Sequence, residues 1–434
     1  MVNTREIALD AVVEILEKKQ YSHYVMKQIL DKYGYLDKQE RAFINRIAEG
    51  TVERCIEMDY IIDAFSKVPV KKMKPFIRSL MRMSVYQLIY MDGTPDSAVC
   101  NEAVKLAGKR GFASLKGFVN GVLRNIARNK EKIAYPDRAA DETAFLSVTY
   151  SMPEWIVQMW LARFGAEKTE QMLQGLLVPR PVTIRINENL PDQEKQRLLR
   201  KMEDAGILVK PAGKSGYAYQ LNNTDRVENI PGFAEGKIMV QDAGSMEIVE
   251  MADIREGQTV IDVCGAPGGK ALHAAEKLKN TGFVTVRDIS DKKVALMEEN
   301  IKRAGFGNIR AEVFDATVTD RDSIAKADVV IADLPCSGLG VIGRKADIKY
   351  RVTAQDVESV AALQRTILST VWQYTKPGGK LVYSTCTLTE TENEKNVAWF
   401  LENYPFEKEN EKTLFPGIDP TDGFYMAVLR RKTV

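Results

Sequence analysis

Five cysteines stand at positions 55, 100, 264, 336 and 386, an odd number and too scattered for a disulfide framework. Two of them have unusual settings. Asp333-Leu-Pro-Cys336-Ser-Gly and Ser384-Thr-Cys386-Thr place a thiol in turns rich in Gly, Ser and Thr. Cys55, Cys100 and Cys264 sit among apolar neighbours and read as inert structural thiols. A nearby cation or backbone donor would lower the Cys336 and Cys386 thiols from the usual ~8.5. A further stretch, Cys264-Gly265-Ala266-Pro267-Gly268-Gly269-Lys270, is a glycine-rich turn that lets a ligand approach the backbone closely. Ala271 follows Lys270, so this is not a phosphate-cradling P-loop, and G-x-G-x-x-G is also absent. Asp288, Asp315 and Asp333 each close an apolar run. An acid at Asp288 suits a ribose diol, because a carboxylate accepts two hydroxyl protons. Lys270 can pair with a carboxylate. The set fits an adenosine-bearing cofactor without a polyphosphate, and S-adenosylmethionine has the required ribose, adenine and carboxylate.

A thiolate beside a methyl donor points to one chemistry. Carbon-5 of a pyrimidine is a poor nucleophile, but thiolate addition at carbon-6 makes it enamine-like. Asp333 is the nearest candidate for the acid that neutralises charge at N3. A base then removes the carbon-5 proton and the thiol leaves. One thiol can add and the other assist release, and the chemistry alone leaves open which does which. A redox disulfide pair is the rival reading. His23 and His273 are the only histidines and no C-x-x-C occurs, which argues against a zinc site and a Ser-His-Asp centre. No metal is expected.

These residues need a scaffold. A chain of 434 residues, 45% apolar and 28% charged, is long enough for two to four folded domains. Met1–Glu17 is amphipathic with interspersed charges, unlike a signal peptide, and no run of about 18 uncharged apolar residues occurs. The expectation is a cytoplasmic protein with no membrane partner. Met1–Lys130 carries 22 Lys+Arg against 15 Asp+Glu, whereas the remainder carries 39 against 44. A basic front on a mildly acidic body fits a polyanion-binding module.

Residues 1–135 repeat apolar positions at helical spacing and read as an all-α bundle, with basic patches at Lys71, Lys72, Lys74, Lys109, Arg110, Arg124 and Arg128. Ser97 is expected to cap a helix through Ala107, and Glu131–Thr143 reads as a linker. Residues 145–235 read as a small α+β insert. Within it Ser151 is expected to cap a helix, and a strand is expected over Pro181–Asn187. Residues 236–434 alternate strand and helix, which implies a Rossmann-like parallel sheet covered on both faces. Strands are expected at Thr259–Cys264, Phe283–Ile289, Ile309–Phe314, Asp328–Asp333 and Lys380–Thr385, with a last one at Gly423–Arg430.

Asp262-Val-Cys-Gly-Ala-Pro-Gly-Gly-Lys270, Asp333-Leu-Pro-Cys-Ser-Gly338 and Ser384-Thr-Cys-Thr387 resemble the signature motifs of RNA cytosine-5 methyltransferases. Val240–Met246, Arg185-Ile-Asn187 and Asp347-Ile-Lys-Tyr350 match further. Asn101-Glu-Ala-Val104 and Val119-Asn-Gly-Val-Leu-Arg124 make the front resemble the NusB fold. The combination is similar, over essentially the whole chain, to the bacterial 16S ribosomal RNA cytosine-5 methyltransferase B (Sun/Fmu) family. The resemblance implies Cys386 as nucleophile and Cys336 as release residue. It also implies a cofactor loop Cys264–Lys270 with Asp288, Asp315 and Asp333, and 5-methylcytosine in small-subunit ribosomal RNA as product. Arg185, Asn187, Arg344, Lys349 and Arg351 are candidate RNA contacts, and a monomer is expected. Departures from the family are Gly265 and Ala271, where Ala and Thr are frequent, Met152 in place of His, and Ala346 in place of Pro. Two other readings are the same chemistry on transfer or large-subunit RNA, and a non-catalytic, antitermination-like RNA-binding factor.

Overall fold

The computed structural model describes residues 3–213 and 215–433; Met1, Val2, Lys214 and Val434 lie outside the described residues. The chain forms two compact units. One is Met1–Leu177 with Arg344–Arg351; the other is Val178–Gly343 with Val352–Val434.

The first unit is helical: α1 (Thr4–Val12), α2 (Ser22–Lys32), α3 (Lys38–Glu53), α4 (Cys55–Phe65), α5 (Pro75–Tyr90), α6 (Asp96–Lys109), α7 (Lys116–Arg128), α8 (Glu142–Thr149), α9 (Glu154–Phe164) and α10 (Ala166–Leu177). Its core gathers the periodic apolar residues, among them Leu9, Val12, Ile44, Ile47, Ile61, Leu80, Leu106, Leu123 and Ile126, all buried. Each such aliphatic side chain contributes about 1.5–3 kcal/mol by leaving water. Helices α8–α10 pack with this unit. The expected caps differ. Ser151 is buried at φ +50°, and its hydroxyl accepts the amides of Ile56 (3.0 Å) and Glu57 (3.4 Å), so it caps α4, not α9. Helix α6 begins at Asp96 behind Pro95, one residue before Ser97.

The second unit carries two sheets. The smaller has order β2-β3-β1-β4, from β1 (Val182–Ile186), β2 (Leu208–Pro211), β3 (Ala218–Asn222) and β4 (Ile238–Val240), with α11 (Asp192–Asp204) packed on it. The larger has order β10-β11-β9-β8-β5-β6-β7. Its strands are β5 (Thr259–Asp262), β6 (Phe283–Asp288), β7 (Ile309–Val313), β8 (Ala327–Asp333), β9 (Thr375–Thr385), β10 (Phe406–Leu414) and β11 (Phe424–Arg431). Helices α12 (Ala243–Ala252), α13 (Gly269–Lys277), α14 (Asp291–Ala304), α16 (Ala354–Val371) and α17 (Glu394–Asn403) accompany it, and the short α15 (Ile348–Arg351) falls in the first unit. The sheet is mixed, which corrects the all-parallel expectation. Strands β7, β6, β5, β8 and β9 are parallel, whereas β11 runs antiparallel to both β9 and β10. Parallel pairing sends the chain out of every strand at one edge, which brings distant turns together.

Candidate active site

In register, Asp333 of β8 lies opposite Ser384 of β9. The turns carrying Cys336 and Cys386 therefore leave neighbouring strands at matching heights, and their Sγ atoms lie 3.2 Å apart. Both thiols are partly buried. The Cys336 thiol is pushed well above its ordinary value, first by its hydrogen bond with Cys386, then by burial, then by the charges of Cys386, Glu392 and Asp333. For Cys336 the expected lowering is thus reversed, because carboxylates and a second sulfur surround it.

Asp333 joins the thiols to the glycine turn. One oxygen pairs with Lys270 Nζ at 2.5 Å and the other accepts the Ser384 hydroxyl at 2.7 Å. The Lys270 ammonium loses hydration by burial, but Asp333, Asp262 and Cys386 outweigh that and raise it. The turn is shaped by its glycines. Gly268 adopts φ +102° and caps α13. A Cβ on Gly265 would stand 2.2 Å from Val286 Cγ2 and 2.7 Å from the Asp262 carboxyl carbon. The Asn300 amide donates to the Pro267 carbonyl at 2.9 Å and holds the outer wall.

Asp262 went unassigned in the sequence reading, although it opens the glycine motif. It ends β5, is fully buried, and neither carboxylate oxygen has a side-chain hydrogen-bond partner among the described residues. Burial pushes its carboxyl up to about 7; Lys270 opposes this, while Asp333 and Asp288 add to it. A buried acid of this kind is costly unless a cation approaches. Asp288 ends β6, buried, and accepts from the Ser290 amide and Lys293. Asp315 lies two residues past β7, lowered by the Thr317 amide and hydroxyl. The Cys264 thiol is raised, chiefly by burial.

The RNA-contact candidates fare differently. Arg185 is 1% exposed, ion-paired with Glu276 and bonded to Gln241 at 2.9 Å, so it braces the small sheet instead of facing solvent. Asn187 is partly buried and its side chain accepts the Asn189 amide. Lys349 is 2% exposed inside the helical unit, where Nζ donates to the Glu53 carbonyl at 2.7 Å. Burial lowers its ammonium to about 8. Arg351 stacks 3.6 Å over Tyr21 and donates to the Lys19 carbonyl. Arg185 and Lys349 are corrected from RNA contacts to internal braces; Arg344 remains exposed. Of the basic patches, Lys109 and Arg110 are tied to Glu6 and Asp10, whereas Lys71, Lys72 and Lys74 are exposed.

A second cluster, Glu188, Glu250 and His273, has metal-type donors close together. Lys277 Nζ sits 2.9 Å from Glu188 and 2.7 Å from Glu250, so an ammonium already bridges the two carboxylates. No helix among the described residues is long and apolar enough to cross a membrane.

Comparison with known proteins agrees with this layout. Residues 249–430 match the family model described as 16S rRNA methyltransferase RsmB/F, residues 2–128 match the NusB family, and residues 152–228 match the RsmF/B-like ferredoxin-like domain. The fold and site thus define a methyltransferase with a NusB-type helical domain. The chain is 34% identical to a probable ribosomal RNA small subunit methyltransferase B of Bacillus subtilis, covering 99% of each chain. It is 29% identical to the ribosomal RNA small subunit methyltransferase B of Vibrio cholerae, over 100% of this chain and 98% of that one. It belongs to the small-subunit ribosomal RNA methyltransferase B family. Among solved structures, that of PH0851 superposes with TM-score 0.82 at 23% identity, over 99% of both chains. NSun6 from Pyrococcus horikoshii with SFG superposes with TM-score 0.57 at 20% identity, over 65% of this chain and 98% of that one.

Proposed function

We propose that this enzyme methylates carbon-5 of a cytosine in small-subunit ribosomal RNA, with S-adenosylmethionine as donor, through a covalent adduct on Cys386. The observation that carries the reading is the pair of sulfurs 3.2 Å apart beside Asp333 and Lys270 at the end of the glycine turn. A redox pair alone would need neither the turn nor the acids.

The residues present fit the cofactor. Asp262 offers a buried carboxylate without a side-chain partner, which favours a cationic group. Gly265 lets the turn pack directly against Val286 and Asp262, Gly268 takes the positive φ that the turn needs, Asp288 suits the ribose, and Lys270 suits the carboxylate. When bound, S-adenosylmethionine supplies an electrophilic methyl group.

The chain's own residues do the rest. The Cys386 thiolate forms a bond to carbon-6, and the electron pair of the 5,6 double bond moves toward carbon-5 and N3. Asp333, oriented by Lys270 and Ser384, holds a proton at N3 as negative charge develops there. After carbon-5 is methylated, a general base accepts the carbon-5 proton, and the Cys336 thiol assists the departure of Cys386. The pair left on carbon-5 reforms the double bond, and the Cys386–carbon-6 bond breaks to return the thiolate.

The test uses the full chain, small-subunit ribosomal RNA and S-adenosylmethionine, with bisulfite sequencing to locate the product. Cys386→Ala is expected to abolish methylation while retaining cofactor binding. Cys336→Ala is expected to accumulate a protein–RNA adduct that survives denaturing electrophoresis. Full activity in Cys386→Ala refutes the reading.

A further inference from the structure

Glu392 lies between the Cys386 turn and α17. It is fully buried, and no lysine or arginine lies within ion-pair distance of it among the described residues. Four neutral donors converge on it instead. Oε1 accepts the Ser337 amide at 2.8 Å and the Gln364 side-chain amide at 3.3 Å. Oε2 accepts the Ser337 hydroxyl at 2.5 Å and the Thr389 hydroxyl at 2.8 Å. Ser337 follows Cys336, and Thr389 lies three residues past Cys386. The Ser337 and Thr387 hydroxyls, 2.7 Å apart, close the ring. Gln364 also donates to the Pro335 carbonyl at 2.8 Å, so α16 holds the Cys336 turn from its other side. A buried carboxylate without a cation is expensive, and the donor set shows what it holds: the two turns that carry the sulfurs.

The surrounding charges are unequal. Cys336 faces the carboxylates Glu392 and Asp333, and Cys386 faces the Lys270 ammonium. We propose that Glu392 is a positioning residue for the two-thiol centre. It clamps the Cys336 turn to the Cys386 turn, and its charge keeps the proton shared by the two sulfurs on Cys336, leaving Cys386 as the sulfur that adds to the base. The raised Cys336 thiol agrees with this division. The proposal rests on the covalent reading above, but its central measurement uses no RNA.

Full-length protein is labelled briefly with iodoacetamide at neutral pH, and the Cys336 and Cys386 peptides are quantified by mass spectrometry. The wild type is expected to label mainly on Cys386. Glu392→Gln keeps the shape but removes the charge, and is expected to move the Cys336-to-Cys386 labelling ratio toward Cys336 by about tenfold. Glu392→Ala also loosens the clamp. It is expected to slow diamide-driven disulfide formation between the two thiols and to lower kcat, with KM for RNA and S-adenosylmethionine affinity nearly unchanged. A merely structural carboxylate would lower the melting temperature without moving the ratio. An unchanged ratio in folded Glu392→Gln overturns the proposal, and that variant decides the matter even if Glu392→Ala does not fold. Methylation persisting in Cys386→Ala would instead refute the covalent reading and leave the labelling result standing on its own.

Discussion

Asp262→Asn gives the sharpest test of the cofactor cradle. The Asp262 carboxyl is raised by burial from 3.8 to about 7. A folded-state value above the unfolded one means that the favourable contribution is complete below about pH 4. It is then lost as pH rises, and the loss is complete once pH passes about 7. At 1.36 kcal/mol per pH unit, the span from pH 5 to pH 7 costs the cofactor-free protein about 3 kcal/mol through this one group. Asn is nearly isosteric and does not ionise, so Asp262→Asn removes that cost. Its thermal midpoint relative to wild type is expected to gain about 5–10 °C between pH 5 and pH 8. Binding should respond in the opposite sense. A bound cationic group holds Asp262 ionised, so S-adenosylmethionine binding at pH 6 releases a proton, and Asp262→Asn weakens affinity about tenfold or more. Calorimetry in buffers of different ionisation enthalpy reads the proton directly. Parallel pH–stability curves for wild type and variant, together with equal affinities, would refute the argument.

Gly265→Ala puts a methyl group 2.2 Å from Val286 Cγ2, and is expected to destabilise by about 1–3 kcal/mol and weaken cofactor binding. Val286→Ala should recover part of the stability in the double variant, while the 2.7 Å approach to the Asp262 carboxyl keeps cofactor binding weak, as thermal melts and equilibrium titration will show. Lys349→Met removes a buried ammonium that already costs free energy, since its value is lowered to about 8 and its penalty eases only as pH rises from there. RNA affinity measured by filter binding should stay within about twofold, because the side chain is internal. A large loss of affinity with the fold intact would return Lys349 to the RNA contacts. Replacing exposed Lys71, Lys72 and Lys74 together with Ala should reduce the slope of log affinity against log salt by about 2 if all three meet phosphates.

Much of the catalytic half was legible because parallel strands are apolar runs and their exits are marked by Gly, Pro and Asp. Helix α14 (Asp291–Ala304) and the strand ends at Asp288 and Asp333 follow directly from that pattern. Strand β10, Glu-Lys-Glu-Asn-Glu-Lys in its middle, is charged and largely exposed, so it carries no apolar alternation and was missed. Ser151 looked like a local cap because sequence shows only neighbours along the chain; its partners are 94 and 95 residues away. The same blindness hid Glu392, whose meaning comes from donors on two other turns and a helix. Lys349 and Arg185 carry charges that suggest RNA, and only burial shows that each is committed to an internal partner.

The segment Arg344–Arg351 has a consequence for how the gene can be divided. It is encoded deep within the catalytic half, yet its side chains finish the helical unit: Lys349 and Tyr350 donate to the last carbonyls of α3, at Glu53 and Val52. A gene cut after codon 177 would therefore yield a front piece with an open helix end and a missing wedge of apolar cover. The two units are interleaved in sequence, so a front piece that is to keep its full apolar cover must carry a copy of this eight-residue segment.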